Sequence, residues 1–330
     1  MTSKFNKKEP VLDRRQFIKK SAVTCGVALS AGAWGYLFYS KKPVRKTKSK
    51  VYTFKDFRVP VSNVYAKMTV ARGNDVEKML RASIEKLGGI TKFIQPGDKV
   101  RIKPNVAWDR QPEQAANTNP ELVAAVVKLC VEAKASEIWV TDVSVNDPYR
   151  CFARSGIENA VLQSGGKILF TSENDFVLTD MKGELIKIWP VAKFYHKADK
   201  VINVPIVKDH SLSKCTLAMK NWYGVLGGRR NQLHQDINTS IVDLAQAVRP
   251  TLTIMDATRV LKENGPTGGN LSDVSIENTI IAGLDEVAID SYSLRFLGLN
   301  VEDVPYIKLA EQRGLGTSDW RSIHVEELNV

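Results

Sequence analysis

Short apolar segments alternate with helically patterned ones along most of the chain, and this alternation restricts the fold more than any other feature. Lys99–Lys103 reads as a strand ending at Pro104. A helix opens at Pro120, with Leu122, Val123, Val126, Val127, Cys130 and Val131 at helical spacing. Its start is marked by Asn119 as a cap, Pro120 in the first turn and Glu121 at the positive end of the dipole. Ile138–Thr141 is the next strand and closes on Asp142; Ile157–Gln163 is helical and Ile168–Phe170 a strand. Residues 173–200 read as a hairpin or excursion, Val201–Val207 as a buried strand, Ser213–Tyr223 as a helix, and Ile241–Val248 as a helix stopped by Pro250. Leu252–Met255 is a strand closing on Asp256, Thr279–Ala282 another strand, Asp285–Leu297 a helix, and 302–314 the last helix. The pattern predicts an α/β fold: a mixed, mostly parallel sheet with helices on both faces, in a single compound domain over 58–330.

The first 40 residues differ in kind. Asp13-Arg14-Arg15-Gln16-Phe17-Ile18-Lys19 matches a twin-arginine export signal, with Arg14 and Arg15 as its determinants. A mildly apolar stretch follows from Ala22 to Tyr39, then the basic run Lys41, Lys42, Arg45, Lys46, Lys48 and Lys50, a linker over 41–57. Charged, apolar and small-residue regions in that order make an export leader. Ala31-Gly32-Ala33 offers a cleavage site; the alternative is an uncleaved membrane anchor. The expected partner is the twin-arginine translocase and the expected location is periplasmic or otherwise extracytoplasmic. That route carries folded cargo, which often acquires a cofactor or a partner before crossing.

Net charge separates leader from domain. Of the formal +11, residues 1–50 account for all, with thirteen Lys/Arg against two Asp/Glu; the rest of the chain holds 34 of each sign. A neutral domain without a basic stripe argues against nucleic acid as a partner. Apolar content of 43% and charged content of 25% are those of a globular protein, not a disordered one. Cys25 lies in the leader, and Cys130, Cys151 and Cys215 are widely spaced with no C-x-x-C pair. That spacing argues against a zinc knuckle, an intrinsic iron–sulfur cluster or a disulfide framework.

In open α/β sheets ligands gather beyond the carboxyl ends of the strands. Those ends carry Lys103, Pro104 and Asn105; Asp142; Lys208, Asp209, His210 and Ser211; and Asp256. Lys220-Asn221 lie on the helix after the third of these, and the loop Asn264-Gly265-Pro266-Thr267-Gly268-Gly269 follows the last. Lys, His, Asn and Asp in this arrangement compose a site for an anionic or metal-bound ligand. His210 and His234 form a candidate pair of nitrogen ligands to a divalent metal, with Asp209 or Asp256 as carboxylate. Asp142 and Asp256 have capping as a simpler role. Gly227-Gly228 and Gly268-Gly269 could cradle an anion or simply turn the chain. G-x-S-x-G and H-E-x-x-H are absent, which removes the typical α/β-hydrolase and the common zinc protease.

Lys103-Pro104-Asn105, Lys208-Asp209-His210, Lys220-Asn221 with Tyr223-Gly224, Gly265-Pro266 with Gly268, and Ala288-Ile289-Asp290 occur in that order. Over roughly residues 60–315 the chain thereby resembles the bacterial family called domain of unknown function 362. It is most similar to exported members that share Trp108-Asp109-Arg110 through Asn117-Thr118-Asn119-Pro120. The resemblance implies a candidate site of Lys103, Asn105, Asp142, Lys208, His210, Lys220, Asn221, His234, Asp256 and Asp290. Asp209 stands where many relatives have Thr. Some relatives carry a ferredoxin-like module with clustered cysteines, which this chain lacks.

The expectation is an exported enzyme or enzyme-like binder of a small anionic ligand. Lys103, Asn105, Asp142, Lys208, Asn221, Asp290 and Gly268 would contact the ligand, and His210, Lys220 and Asp256 would be catalytic. Lys220, buried beside a second cation, would act as base or nucleophile. The rivals are a non-catalytic accessory subunit riding with a redox partner protein, and a passive anion-binding module.

Overall fold

The computed structural model describes residues 13–38, 50–60 and 64–330, which fall into two units, Met1–Ser49 and Lys50–Val330. Within the first unit, α1 (Arg14–Phe38) carries Arg14, Arg15 and the Ala31-Gly32-Ala33 stretch. Among the described residues no helix is long and apolar enough to cross a membrane. Residues 41–49 of the expected linker lie outside the described residues. Residues 50–57 belong to the second unit: β1 (Tyr52–Thr53) takes part in a sheet and Phe57 is buried.

In the second unit the chain continues through β2 (Met68–Arg72), α2 (Val76–Lys86), β3 (Lys99–Pro104), α3 (Pro120–Glu132), β4 (Glu137–Val140), α4 (Pro148–Arg154), α5 (Ile157–Gln163) and β5 (Lys167–Ile168). The hairpin β6 (Phe176–Asp180) and β7 (Ile188–Ala192) follows, then β8 (Lys200–Val204), β9 (Ile206–His210), β10 (Lys214–Thr216), α6 (Ala218–Asn221) and α7 (Ile237–Ala247). The last elements are β11 (Leu252–Leu261), β12 (Val274–Gly283), α8 (Glu286–Ser293), α9 (Pro305–Gln312) and β13 (Val325–Asn329). The main sheet runs β13-β2-β12-β11-β8-β3-β4-β5, with β9 also beside β11 and β10 folded back on β9. Pairing is antiparallel at β2–β12, β12–β11 and β9–β10, and parallel at β13–β2, β11–β8, β11–β9, β8–β3, β3–β4 and β4–β5. Strands β1, β6 and β7 form a separate small sheet, which accounts for the excursion expected over 173–200.

Strand periodicity explains why both faces are covered. Successive side chains point to opposite faces. Val201, Met255 and Ile281 enter one core with α7, α8 and α9, while Ile202, Ile254 and Ile280 enter the other with α2, α3 and α5. Each fully buried Val, Ile or Leu contributes about 1.5–3 kcal/mol relative to exposure. The α3 start is as expected, with the Asn119 side chain accepting from the Glu121 N–H.

Three expected elements are corrected. Val201–Val207 is not one strand: Pro205 has no N–H for the ladder, and the chain divides there into β8 and β9. Ser213–Tyr223 is not one helix. Lys214–Thr216 pairs with β9, and only Ala218–Asn221 is α-helical; residues 215–219 are all buried, so no period there separates strand from helix and the pairing with β9 decides. The strand expected to close at Asp256 continues to Leu261, so Asp256 lies mid-strand rather than at a strand end. The strands β2 and β13 and the helix α2 complete the sheet and its cover without having stood out in the sequence.

Candidate functional site

The carboxyl ends of β3, β4 and β9 open onto one cleft of about 480 Å³. Its far wall is α6, the turn after it, and the 3₁₀ segment Arg230–Asp236. Lys103, Asn105, Asp142, Lys208, His210, Lys220, Asn221 and His234 all line it. Eight residues singled out from the sequence, from five segments of chain, are thus brought together.

They are not equivalent. One group is a closed polar floor. The Lys103 ammonium donates to Asp142 Oδ1 (2.7 Å), Asn221 Oδ1 (3.0 Å) and the Pro104 carbonyl (2.8 Å), which uses all three of its protons. Asp142 Oδ2 accepts from the Val106 N–H at 2.7 Å. Asn221 Oδ1 also accepts from Asn105 Nδ2 (3.0 Å), and its own Nδ2 donates to Asn203 Oδ1 (2.8 Å). Lys208 Nζ donates to Asn105 Oδ1 (2.9 Å) and the Ala116 carbonyl (2.5 Å), leaving one proton for the cleft. Gly224 closes over the Lys103–Asp142 pair so tightly that a Cβ there would collide with both. Lys103 is 0% exposed and Lys208 1%, so these bonds are what makes burial of their charges tolerable.

The other group faces the cleft unengaged. Lys220 Nζ makes no hydrogen bond or ion pair with any described residue and sits 5.5 Å from the centre of the Tyr223 ring. Burial, reinforced by Arg230, brings its pKa down to about 7. Burial and the charge of Lys220 hold Lys208 well below the usual lysine range. His210 Nδ1 accepts from the Leu212 N–H at 3.1 Å, which puts the ring proton on Nε2. Burial, followed by Lys220 and Lys208, pushes His210 down to about 2, so it is neutral and acts as an Nε2–H donor. His234 is the complement: Nδ1 lies 3.1 Å from the Asn231 carbonyl and so carries the proton, leaving an Nε2 lone pair. Its ring stacks on Tyr223, with centroids 5.4 Å apart.

Three expected site residues lie elsewhere. Asp256 accepts from the Asn119 N–H (2.7 Å) and from the N–H and hydroxyl of Thr258, so it ties α3 to β11 and orients no histidine. Asp290 accepts from the Ala218 and Met219 N–H groups, at 2.7 and 3.1 Å, and thereby anchors α6, which carries Lys220 and Asn221. Gly268 occupies a turn at φ +54°, where its N–H returns to the Asn264 carbonyl. Of the two carboxylates expected to complete a metal site, Asp209 instead holds the Gly265 N–H (2.8 Å) and Asp256 is engaged as above. The His210 and His234 rings stand 6.4 Å apart, and among the described residues no third His, Cys, Asp or Glu joins them. With Nδ1 bonded and Nε2 protonated, His210 has no lone pair to give a metal. The donor set therefore does not fit a divalent ion.

Several lining residues did not stand out in the sequence, Arg230 and Thr216 among them. Arg230 donates to the Ser144 (2.9 Å) and Tyr223 (3.1 Å) carbonyls and retains further N–H groups. Arg229-Arg230 directly after the Gly227-Gly228 turn was the available signal. Thr216, opposite Lys208 in the β9–β10 register, has a buried hydroxyl with no hydrogen-bond partner among the described residues.

Comparison with known proteins agrees with the motifs. The family profile of Domain of unknown function (DUF362) matches residues 100–295. Thylakoid-associated protein sll1697 of Synechocystis sp. is 27% identical over 251 residues, covering 72% of this chain and 74% of that protein. Among solved structures, the lactate racemase apoprotein from Thermoanaerobacterium thermosaccharolyticum aligns over 75% of this chain at 10% identity and a TM-score of 0.40. A Thermotoga maritima protein aligns over 73% at 12% identity and a TM-score of 0.37. The chain spans 61% and 60% of the lengths of those two proteins.

Proposed function

This chain belongs to the DUF362 family, and we propose that its cleft is an enzyme-like site for a small organic anion. One observation carries the reading. Four cationic side chains, Lys103, Lys208, Lys220 and Arg230, line the cleft against one carboxylate, Asp142, and Lys103 already holds that carboxylate. Unbalanced positive charge in a partly desolvated cleft is unfavourable, and an anion between Lys208, Lys220 and Arg230 removes that cost. Ala107, Trp108, Val143, Val145 and Leu212 supply apolar wall for a carbon skeleton. The depressed lysine pKa values are the same cost seen from the protein side. Anion binding raises them, so binding near pH 7 takes up protons.

The test is titration calorimetry of the full chain with inorganic phosphate and with pyruvate, in buffers of differing ionisation enthalpy. Saturable binding with proton uptake is expected. Arg230→Gln should weaken it about tenfold, the loss of one charge-assisted contact of about 1.4 kcal/mol. If neither anion binds at millimolar concentration, or Arg230→Gln binds unchanged, the reading fails.

The Arg14-Arg15 leader supports export by the twin-arginine route as part of the same proposal. Arg14→Lys with Arg15→Lys should leave the protein in the cytoplasmic fraction of a host that has the translocase. Unchanged recovery outside the cytoplasm would refute that route.

A further inference from the structure

Three buried lysines line the cleft, and a comparison among them separates structural from chemical roles. The Lys103 ammonium is saturated by three acceptors, one of them a carboxylate. Lys208 has two acceptors. Lys220, 7% exposed, has none among the described residues, and its ammonium lies 5.5 Å from the centre of the Tyr223 ring. A lysine kept buried for the fold needs acceptors for its protons, because an unpaired buried ammonium costs several kcal/mol. Lys220 is instead a mostly buried lysine whose ammonium faces the cleft without an acceptor among the described residues. The structure nonetheless holds it in place: Asp290 receives the first N–H groups of α6, and the neighbouring Asn221 is locked into the polar floor.

We propose that Lys220 is the nucleophile of this cleft and forms an imine with the carbonyl carbon of a small 2-oxo acid. The inference rests on the anion-binding reading and gives its substrate class. The surroundings match both ends of such a molecule. Its carboxylate meets Arg230, the remaining proton of Lys208 and the unpartnered Thr216 hydroxyl. Its carbonyl oxygen meets a hydrogen-bond donor, the Nε2–H of neutral His210, and its carbon chain meets the apolar wall. His234 Nε2 supplies the lone pair that accepts a proton.

The step balances without an external reagent. The Lys220 nitrogen lone pair forms a bond to the carbonyl carbon while the C=O π pair moves to oxygen. A nitrogen proton passes to that oxygen to give the carbinolamine. The C–O bond then breaks as C=N forms, and the oxygen leaves as water with the two original amine hydrogens. No oxidation state changes. An amine that titrates near neutrality is partly unprotonated at working pH, which this attack requires.

The experiment incubates the full chain with pyruvate and sodium cyanoborohydride, then reads intact mass and peptide maps. The expected result is one reduced pyruvyl adduct on Lys220, suppressed by excess phosphate and lost in Lys220→Met and Lys220→Arg. Pyruvate heat that depends on Arg230, with no adduct on Lys220, would overturn the covalent inference and leave the anion site standing. Adducts scattered over surface lysines and indifferent to phosphate would overturn it too. Absence of both heat and adduct would remove the two readings together.

Discussion

Asp142→Ala is expected to destabilise the protein by about 3–5 kcal/mol, the usual loss when one member of a buried ion pair is removed. Lys103 and Asp142 meet at 2.7 Å with 0% and 2% of their side chains exposed, so solvent cannot replace the lost carboxylate. Burial already depresses Lys103, and Asp142 is the main influence opposing that. Without it the amine must lose its proton or remain a bare charge, and the Val106 N–H loses its acceptor as well. Equilibrium urea denaturation at pH 7 measures the effect. Lys103→Met combined with Asp142→Ala should recover a good part of the loss, because the uncompensated charge then disappears. A loss below about 1 kcal/mol for Asp142→Ala would mean that the pair is no part of the floor's stability.

Lys220→Met is expected to act in the opposite direction, stabilising the protein at pH 6 by about 2–4 kcal/mol. The sign follows from proton binding. In the fold Lys220 titrates at about 7, against an ordinary value of 10.5. Below pH 7 it is protonated in both states, and the folded state bears the cost of a partly desolvated charge. Between about 7 and 10.5 the unfolded chain binds the extra proton, so this residue's contribution makes stability rise with pH. The variant lacks that contribution, so its advantage is largest below pH 7 and fades towards pH 10. Urea denaturation of both proteins at pH 6 and pH 9.5 shows it as a difference that shrinks with pH. A variant less stable at pH 6, or a difference independent of pH, would mean that the amine has a stabilising partner. A residue that costs stability in the resting fold is typical of a functional site.

Much of the architecture was determined by sequence pattern alone. Consecutive apolar residues in β8, β11 and β12 (Val201-Ile202, Ile254-Met255, Ile280-Ile281) required two covered faces, and the Asn119-Pro120-Glu121 start of α3 was fully local. Local chemistry also marked where ligand-facing residues belong, since polar groups following parallel strands converge at one sheet edge. Lys103, Asn105, Asp142, Lys208 and His210 are of this kind, while Lys220, Asn221 and His234 come from helical segments further along the chain. What the pattern could not carry was element identity where the signals are short. Cys215, Leu217 and Met219 suit a buried turn of helix and a strand exit alike, and only pairing with β9 decided for the strand.

Roles within the site were decided by the tertiary structure. Asp256 and Asp290 carry the same carboxylate as Asp142, but each is occupied by backbone N–H groups from a distant segment. Lys103, Lys208 and Lys220 are identical in type; their difference lies in side-chain acceptors 39 and 118 residues away for the first, acceptors 103 and 92 residues away for the second, and none among the described residues for the third. Hydrogen-bond saturation and desolvation depend on what the whole chain brings within about 3 Å of an atom. The sequence by itself therefore marked most of the groups that gather at the cleft, and the three-dimensional packing decided the rest: it placed Asp256, Asp290 and Gly268 elsewhere, brought in Arg230 and Thr216, and set which groups remain free to act.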